Sequence, residues 1–318
     1  MAGGRWMQCF VTGATGVVGR PVVRALVEAG HDVRGVARDE AKAVQLRGAG
    51  ADPVIVDLFD GPALGDAVAG SDAILHLATN VPPVTRVAFP SAWRTHNRLR
   101  TETTAHLLAG ARAHGIDTFV KESITFTYPD CGAEWIDESV APDTSIKRLL
   151  PTLEGEHLVE AFTTEGGRGV VLRFGLFYGP GNRANDEALR LARLRSTPIA
   201  GRDDSYMSSI HTEDAATAVV AGLAAPGGIY NVVDDEPLTR REYLDAFAAA
   251  FGLEHLRLTP PGALRAVAGS AAKALTASQR VTNRHFKHTT GWAPAYPSAR
   301  EGWAAIGAAR ITDEGKQR

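Results

Sequence analysis

Cysteine is scarce: Cys9 and Cys131 are the only two in 318 residues, too few for a disulfide framework. Charge of one sign is also missing. A formal net charge of −2 offers no basic field to recruit nucleic acid or anionic lipid. No apolar run approaches the ~20 residues that span a bilayer. The N-terminal Met-Ala-Gly-Gly-Arg-Trp has no apolar signal-peptide core, so a cytoplasmic protein is expected. The histidines show no metal spacing; His285 and His288 are close, but no cysteine or acidic partner accompanies them. A Gly-x-Ser-x-Gly elbow is absent, which argues against a hydrolase of that type. No metal, nucleic acid or membrane partner is therefore expected, and the remaining partner is a small molecule.

What is present begins at Gln8: Gln-Cys-Phe-Val-Thr-Gly-Ala-Thr-Gly-Val-Val-Gly19. An apolar strand runs into glycines at 13, 16 and 19 and then into an amphipathic helix. Gly13 permits the tight turn, Gly16 lets the backbone approach phosphates, and Gly19 lets the helix pack against the sheet. The helix N-terminus adds N–H donors and positive dipole. Gly13, Ala14, Thr15, Gly16, Val17 and Val18 are thus expected to cradle the pyrophosphate of a dinucleotide.

Strand and helix patterns then alternate. Strands are expected at residues 7–12, 32–37, 53–56, 73–77 and 118–122, and helices at 17–29, 40–48, 62–69 and 91–114, the last one long. A further helix at 149–164 precedes a strand at 169–174. This rhythm implies an α/β fold, a Rossmann-type doubly wound parallel sheet with helices on both faces. Beyond about residue 178 the alternation breaks down. Helices are expected near 186–194, 213–224, 239–251 and 261–274, an extended piece at 229–233, and a frayed end at 312–318. We expect a dinucleotide-binding domain over residues 1–177. A smaller C-terminal α/β substrate lobe follows over 178–318, with an approximate boundary that the chain could cross again.

The second strand ends at Arg38, with Lys42 one helical turn beyond. An acidic side chain at that tip would hold an adenosine 2′-hydroxyl, whereas a guanidinium suits a 2′-phosphate. NADP is the expected cofactor, with NAD the alternative. The competing reading leaves Arg38 as a solvated residue and makes Asp39 the cap of the next helix.

Several ordered motifs resemble the extended or atypical branch of the short-chain dehydrogenase/reductase superfamily, which holds nucleotide-sugar epimerases, dehydratases and reductases. They are the glycine motif from Thr12 to Gly19, Asp57-Leu58, His76-Leu77-Ala78 and Asn97. Arg173 to Gly181, Ile210-His211 to Asp214, Tyr230-Asn231-Val232 and Gly291-Trp292-x-Pro294 continue the match over nearly the whole chain. The resemblance implies an adenine-side role for Asp57 and Leu58, and cofactor contacts from Leu77, Ala78 and Thr79. It places Phe174 and Leu176 beside the nicotinamide end. It also implies a homodimer through the 91–114 and 149–164 helices.

One departure matters. The family's Tyr-x-x-x-Lys pair, whose phenol exchanges a proton with the substrate, is missing: the residues four beyond the six tyrosines are Gly132, Asn182, Ile210, Asp234, Phe247 and Arg300. Aligned on residues 155–162, Arg148 takes the tyrosine position and Thr152 the lysine position; a slipped frame gives Asp143 and Lys147. Candidate replacements are Tyr128, Ser123, Thr125, Glu122, Lys147 and Arg148. On a strand Ser123 and Thr125 share a face, opposite to Ile124. Glu122 at a buried strand end needs a partner, with Lys121 or Arg173 at hand. His211 is expected to be structural, with Asp214 capping or anchoring the local helix.

The reading is an oxidoreductase acting on a small or apolar carbonyl or activated alkene. A non-redox isomerase, lyase or cyclase, and an inactive cofactor-sensing protein, remain open. Relatives acting on nucleotide sugars carry a diphosphate-binding arginine just before the Ile-His segment; here the nearest, Arg202, is displaced upstream, so the resemblance implies a smaller or more apolar substrate.

Overall fold

A computed structural model describes residues 6–82, 86, 89–254, 256–260, 262, 264 and 271–316. Its centre is a seven-stranded parallel sheet. The strands are β1 (Gln8–Thr12), β2 (Asp32–Ala37), β3 (Asp52–Ile55), β4 (Ala73–His76), β5 (Thr118–Ile124), β7 (Arg168–Phe174) and β11 (Gly228–Val232). Their spatial order is β11-β7-β5-β4-β1-β2-β3. Chain order runs outward one way from β1 to β3 and the other way from β4, so the switch point lies between β1 and β4, where open α/β sheets bind ligands.

Alternate residues of each strand go to opposite faces, and the core follows that period. Cys9, Val11, Ala73, Leu75, Val120 and Val170 pack beneath α1 (Gly19–Glu28) and α8 (Thr212–Gly222). Phe10, Ile74, Phe119 and Val171 pack beneath α3 (Gly61–Ala67), α5 (Glu102–His114) and α6 (Leu150–Thr164). Both faces are covered, which is why the central strands read as continuous apolar runs rather than as alternation. Among the described residues no helix is long and apolar enough to cross a membrane.

The expected 91–114 helix is divided. A 3₁₀ turn over Pro90–Trp93 leads into α4 (Arg94–Arg100), and α5 starts afresh after Thr101, whose φ of −110° and ψ of −68° break the helical run. Hydrophobic period alone cannot show a one-residue break. The α-helix after the glycine turn starts at Gly19 rather than at 17, although Arg20 N already donates to Gly16 O. Thr125 does not continue β5; it opens a 3₁₀ turn over Thr125–Thr127, so it does not share a strand face with Ser123. Residues 312–316, expected to fray, continue the last helix. Most of the expected 261–274 helix lies outside the described residues; a helix is present at Ala271–Thr276.

The smaller lobe has its own core of Tyr178, Leu189, Met207, Tyr243, Phe247 and Trp303. The chain leaves it to supply α8 and β11 to the sheet and then returns. A strap crosses the other way, where β6 (Trp135–Ile136) pairs with Arg280–Val281.

Glycine 13 has φ +72°, and a Cβ there would sit 2.6 Å from the Leu77 carbonyl carbon, while one on Gly19 would overlap the Gly13 carbonyl oxygen. The turn is therefore squeezed between β4 and α1. Replacing Gly19 by Ala is expected to cost about 3 kcal/mol of stability, read from urea midpoints at constant m. A midpoint equal to that of the natural chain would show that α1 can withdraw from the turn.

Candidate functional site

The sheet register lines up the polar residues at the carboxyl ends of the strands. On the face covered by α5 and α6, Thr12, His76 and Lys121 stand opposite one another on β1, β4 and β5. One step further out, Ser123, Arg173 and Asn231 form a second row on β5, β7 and β11.

The outer row is closed by two groups from elsewhere. Arg173 grips Glu156 of α6 with Nε (3.0 Å) and Nη2 (2.6 Å), and Ser123 donates its hydroxyl proton to the same carboxylate. The remaining Arg173 nitrogen, Nη1, donates to the Tyr128 phenol oxygen at 2.9 Å, and that phenol donates to Asn231 Oδ1 at 2.9 Å. Tyr128 is wholly buried, and burial pushes its pKa up against the opposing pull of Arg173. Of the expected catalytic group, the structure thus brings Ser123 and Tyr128 into one network through Arg173 and Glu156. Thr125 is buried in the turn, where its carbonyl accepts from Tyr128 N. The expected pairing of Glu122 with Lys121 or Arg173 is not what the structure shows. The partner of Glu122 is Arg100 of α4, which reaches its carboxylate at 2.6 Å and its backbone carbonyl at 2.6 Å.

The inner row is equally enclosed. Thr12 Oγ1 and His76 Nδ1 are 2.7 Å apart, and His76 Nε2 lies 2.8 Å from the Leu99 carbonyl. A carbonyl only accepts, so Nε2 carries the proton and Nδ1 accepts from Thr12. Burial, with Lys121 and Arg100 adding to it, holds His76 neutral, well below the usual histidine range. Lys121 donates to Thr104 Oγ1 at 3.0 Å, and a Cβ on Gly155 would come within 2.8 Å of its Cε. A glycine at 155 is what leaves room for this lysine. Neither Glu156 nor Arg100 was singled out from sequence; the spacing of Glu156 behind the missing tyrosine and lysine was the available signal.

Of the expected cofactor residues, the glycine turn and the residues after β4 flank the switch point. Gly16 N donates to Gly13 O at 2.8 Å, closing the turn over Ala14 and Thr15 ahead of Val17 and Val18. Leu77 and Ala78 abut it from β4, and Thr79 is exposed beside them. Arg38 is exposed at the tip of β2 and makes no ion pair or hydrogen bond among the described residues. Asp39 caps α2 (Glu40–Gly48), accepting from Lys42 N. An exposed Arg38 beside an Asp39 cap is the arrangement of the competing reading. Asp57 is exposed and its carboxylate accepts from Phe59 N, while the Leu58 carbonyl accepts from Thr103. Phe174 is buried in the sheet core; Leu176, half-buried on β8 (Leu176–Tyr178), is nearer to solvent.

In the smaller lobe His211 is structural, as expected, but it takes the capping role that was expected of Asp214. His211 Nδ1 itself accepts from Glu213 N at the start of α8, and burial pushes its pKa down to about 4. Asp214 instead receives the backbone N–H groups of Ala295 and Tyr296, tying down the C-terminal segment.

Burial, aided by Arg100, lowers the Lys121 pKa from 10.5 to about 7, against the upward pull of Glu122 and Glu156. An unfolded lysine keeps its proton to higher pH. Between pH 7 and 10 the unfolded chain therefore binds more protons at this site, and stability rises with pH. The stability difference between the natural chain and Lys121→Met is expected to shift toward the natural chain over pH 7–9.5 by up to about 1.4 kcal/mol per unit. A pH-independent difference in urea titrations would mean that Lys121 stays charged in the fold.

Comparison with known proteins places this geometry. The model of the NAD dependent epimerase/dehydratase family matches residues 9–232. A Streptomyces protein named 3-diazoavenalumate denitrifying reductase is 33% identical over 310 residues, covering 93% of this chain and 99% of its own. A 2-alkyl-3-oxoalkanoate reductase of Stenotrophomonas maltophilia is 29% identical, covering 77% of this chain and 76% of its own. Among solved structures, a human epimerase family protein with NADPH superposes with a TM-score of 0.76 at 23% identity, over 95% of this chain and 99% of its own. With matched motifs spanning both lobes, the chain belongs to the NAD dependent epimerase/dehydratase family.

Proposed function

We propose that the chain is an NADP(H)-dependent reductase of short-chain dehydrogenase/reductase type, and that it reduces its acceptor without taking a proton from a tyrosine phenol. The chain is an oxidoreductase in this reading because relatives over most of its length are named as reductases. A nicotinamide cofactor fits the residues present: the glycine turn admits no side chain at positions 13 and 19, and Arg38 offers an uncommitted guanidinium where a 2′-phosphate would lie. Bound there, the cofactor supplies hydride. Gly13 to Val18 would hold its pyrophosphate, Asp57 and Leu58 its adenine side, and Leu77 to Thr79, Phe174 and Leu176 the stretch toward the nicotinamide.

The observation that carries the proposal is the state of Tyr128. Its phenol is fully buried, accepts from Arg173 and donates to Asn231. Ser123 is likewise committed to Glu156. Both serve in this reading as positioning residues that hold the edge of β5 and β7. An acceptor that already bears positive charge needs no proton from the protein, because hydride alone neutralises it. An arenediazonium ion is of this kind: hydride adds to its terminal nitrogen to give an aryldiazene, which loses N₂ and leaves a C–H bond. The name of the Streptomyces relative, a denitrifying reductase of a diazo compound, favours this class. A carbonyl acceptor is the second reading, favoured by the 2-alkyl-3-oxoalkanoate reductase relative, with Thr125 or water as the proton source.

With benzenediazonium, NADPH oxidation above the protein-free rate is expected, with one N₂ released per NADPH. Tyr128→Phe should retain at least about a fifth of kcat, since a positioning hydrogen bond contributes only about 1 kcal/mol. Loss of all turnover in a folded Tyr128→Phe protein would return the acid role to the phenol. Turnover confined to 2-methyl-3-oxobutanoate esters would favour the carbonyl reading. Separately, Arg38→Ala should weaken NADPH binding by about tenfold or more and leave NADH binding unchanged. Equal affinities for the two in the natural chain would remove the case for a 2′-phosphate site.

A further inference from the structure

We infer that the short helix Ala271–Thr276 is a lid over the carboxyl end of β5, hinged at residues 277–282 and latched by an ion pair between Lys273 and Asp143. The lid governs access to the active edge and stands apart from the question of which acceptor is reduced. Two alanines face the larger lobe. Ala272 packs on Trp93, in the 3₁₀ turn that leads into α4, and Ala274 packs with Ile124, Ile146 and Leu149. Ile124 directly follows Ser123, and the helix also lies against the turn Thr125–Thr127. It therefore roofs the end of the strand that delivers Ser123.

What holds the helix differs from what holds the chain after it. Residues 277–282 are fastened on both sides. Gln279 N donates to the Tyr206 carbonyl, and the Gln279 side-chain amide donates to the Tyr128 carbonyl. Ser278 Oγ donates to the Gly132 carbonyl and accepts from Tyr206 N, while the Ser278 carbonyl accepts from Cys131 N. Arg280–Val281 pairs with β6, and Thr282 N donates to the Ile136 carbonyl. Among the described residues no backbone hydrogen bond ties the helix itself to the larger lobe. Its apolar contacts are single methyl groups, which bury little area. The polar hold comes from one side chain: Lys273 Nζ meets Asp143 Oδ2 at 2.6 Å and donates to Ser145 Oγ at 2.8 Å. The far end of the helix stays with the smaller lobe, because buried Arg240 donates to the Leu275 carbonyl at 2.8 Å and to the Ala277 carbonyl at 3.0 Å. Breaking the latch thus frees the lid and leaves the hinge intact. Lys273 beside it holds the Asp143 carboxyl down to about 2, so that carboxylate is charged at any ordinary pH. Lys273 is more than half exposed, so the latch answers to salt. Asp143, which the slipped frame aligns with the missing tyrosine, is spent on this pair.

The test is hydrogen exchange read by mass spectrometry on the full chain, comparing peptides that cover 271–276 and 277–282. At low salt the lid amides of the natural chain should be protected. Lys273→Met should speed their exchange by about twofold to fivefold, the range an exposed ion pair supports, and leave 277–282 unchanged. In about 1 M sodium chloride the natural chain should approach the variant, which itself should not respond. Lys273→Arg should exchange as the natural chain does. Unprotected lid amides in the natural chain, no change in Lys273→Met, or equal acceleration of 277–282 would overturn the inference. So would a lid as loose in Lys273→Arg as in Lys273→Met. The measurement needs neither cofactor nor substrate. Its failure is therefore distinct from failure of the reductase reading, which shows as a lack of nicotinamide dinucleotide binding.

Discussion

The buried pair between Arg173 and Glu156 is the interaction on which the active edge depends. Both residues are almost fully inaccessible, and neither could stay charged there alone, because an unpaired ion in a low-dielectric interior costs several kcal/mol. Paired through two nitrogens, they fasten α6 to β7 and leave each partner with bonding capacity to spare. The carboxylate spends its share on Ser123 and the guanidinium on Tyr128. The hydroxyls that a reader of the sequence would assign to proton transfer are therefore part of the brace.

The same logic runs through the inner row. Lys121, Arg100, Glu122 and His76 crowd one corner beneath α4 and α6, and each is held by a specific partner: Thr104, Glu122, Arg100 and Leu99. The cations oppose protonation of His76, so it remains a neutral strut between Thr12 and the helix above. A rigid polar edge of this kind can orient a flat cofactor and substrate against one another. Along it Ser123 and Tyr128 are both held in specific hydrogen bonds, to Glu156 and to Arg173 and Asn231.

Much of this was legible in the chain alone, because it is local. The glycine turn, the strand leading into it and the helix leaving it lie within a dozen consecutive residues. The steric demands on Gly13 and Gly19 are properties of that stretch packed on its neighbour. Period-2 and period-3.6 patterns likewise carry the alternation of strands and helices. The exposed tip at Arg38, with Asp39 as a cap, follows from strand and helix signals a few residues apart.

Sequence by itself determined the layered α/β architecture, the cradle at its switch point and the absence of the usual phenol and lysine. Tertiary structure alone decided what became of the residues left in their place. Ser123, Tyr128, Glu156, Arg173 and Asn231 come from five separate segments, and they meet because β5, β7 and β11 pair in one register. A one-residue slip would turn each strand's contribution to the opposite face. Partner choice among buried charges is a property of that register and of helix placement, which no short stretch of chain encodes. Glu122 therefore found Arg100, and the phenol was drawn into the core.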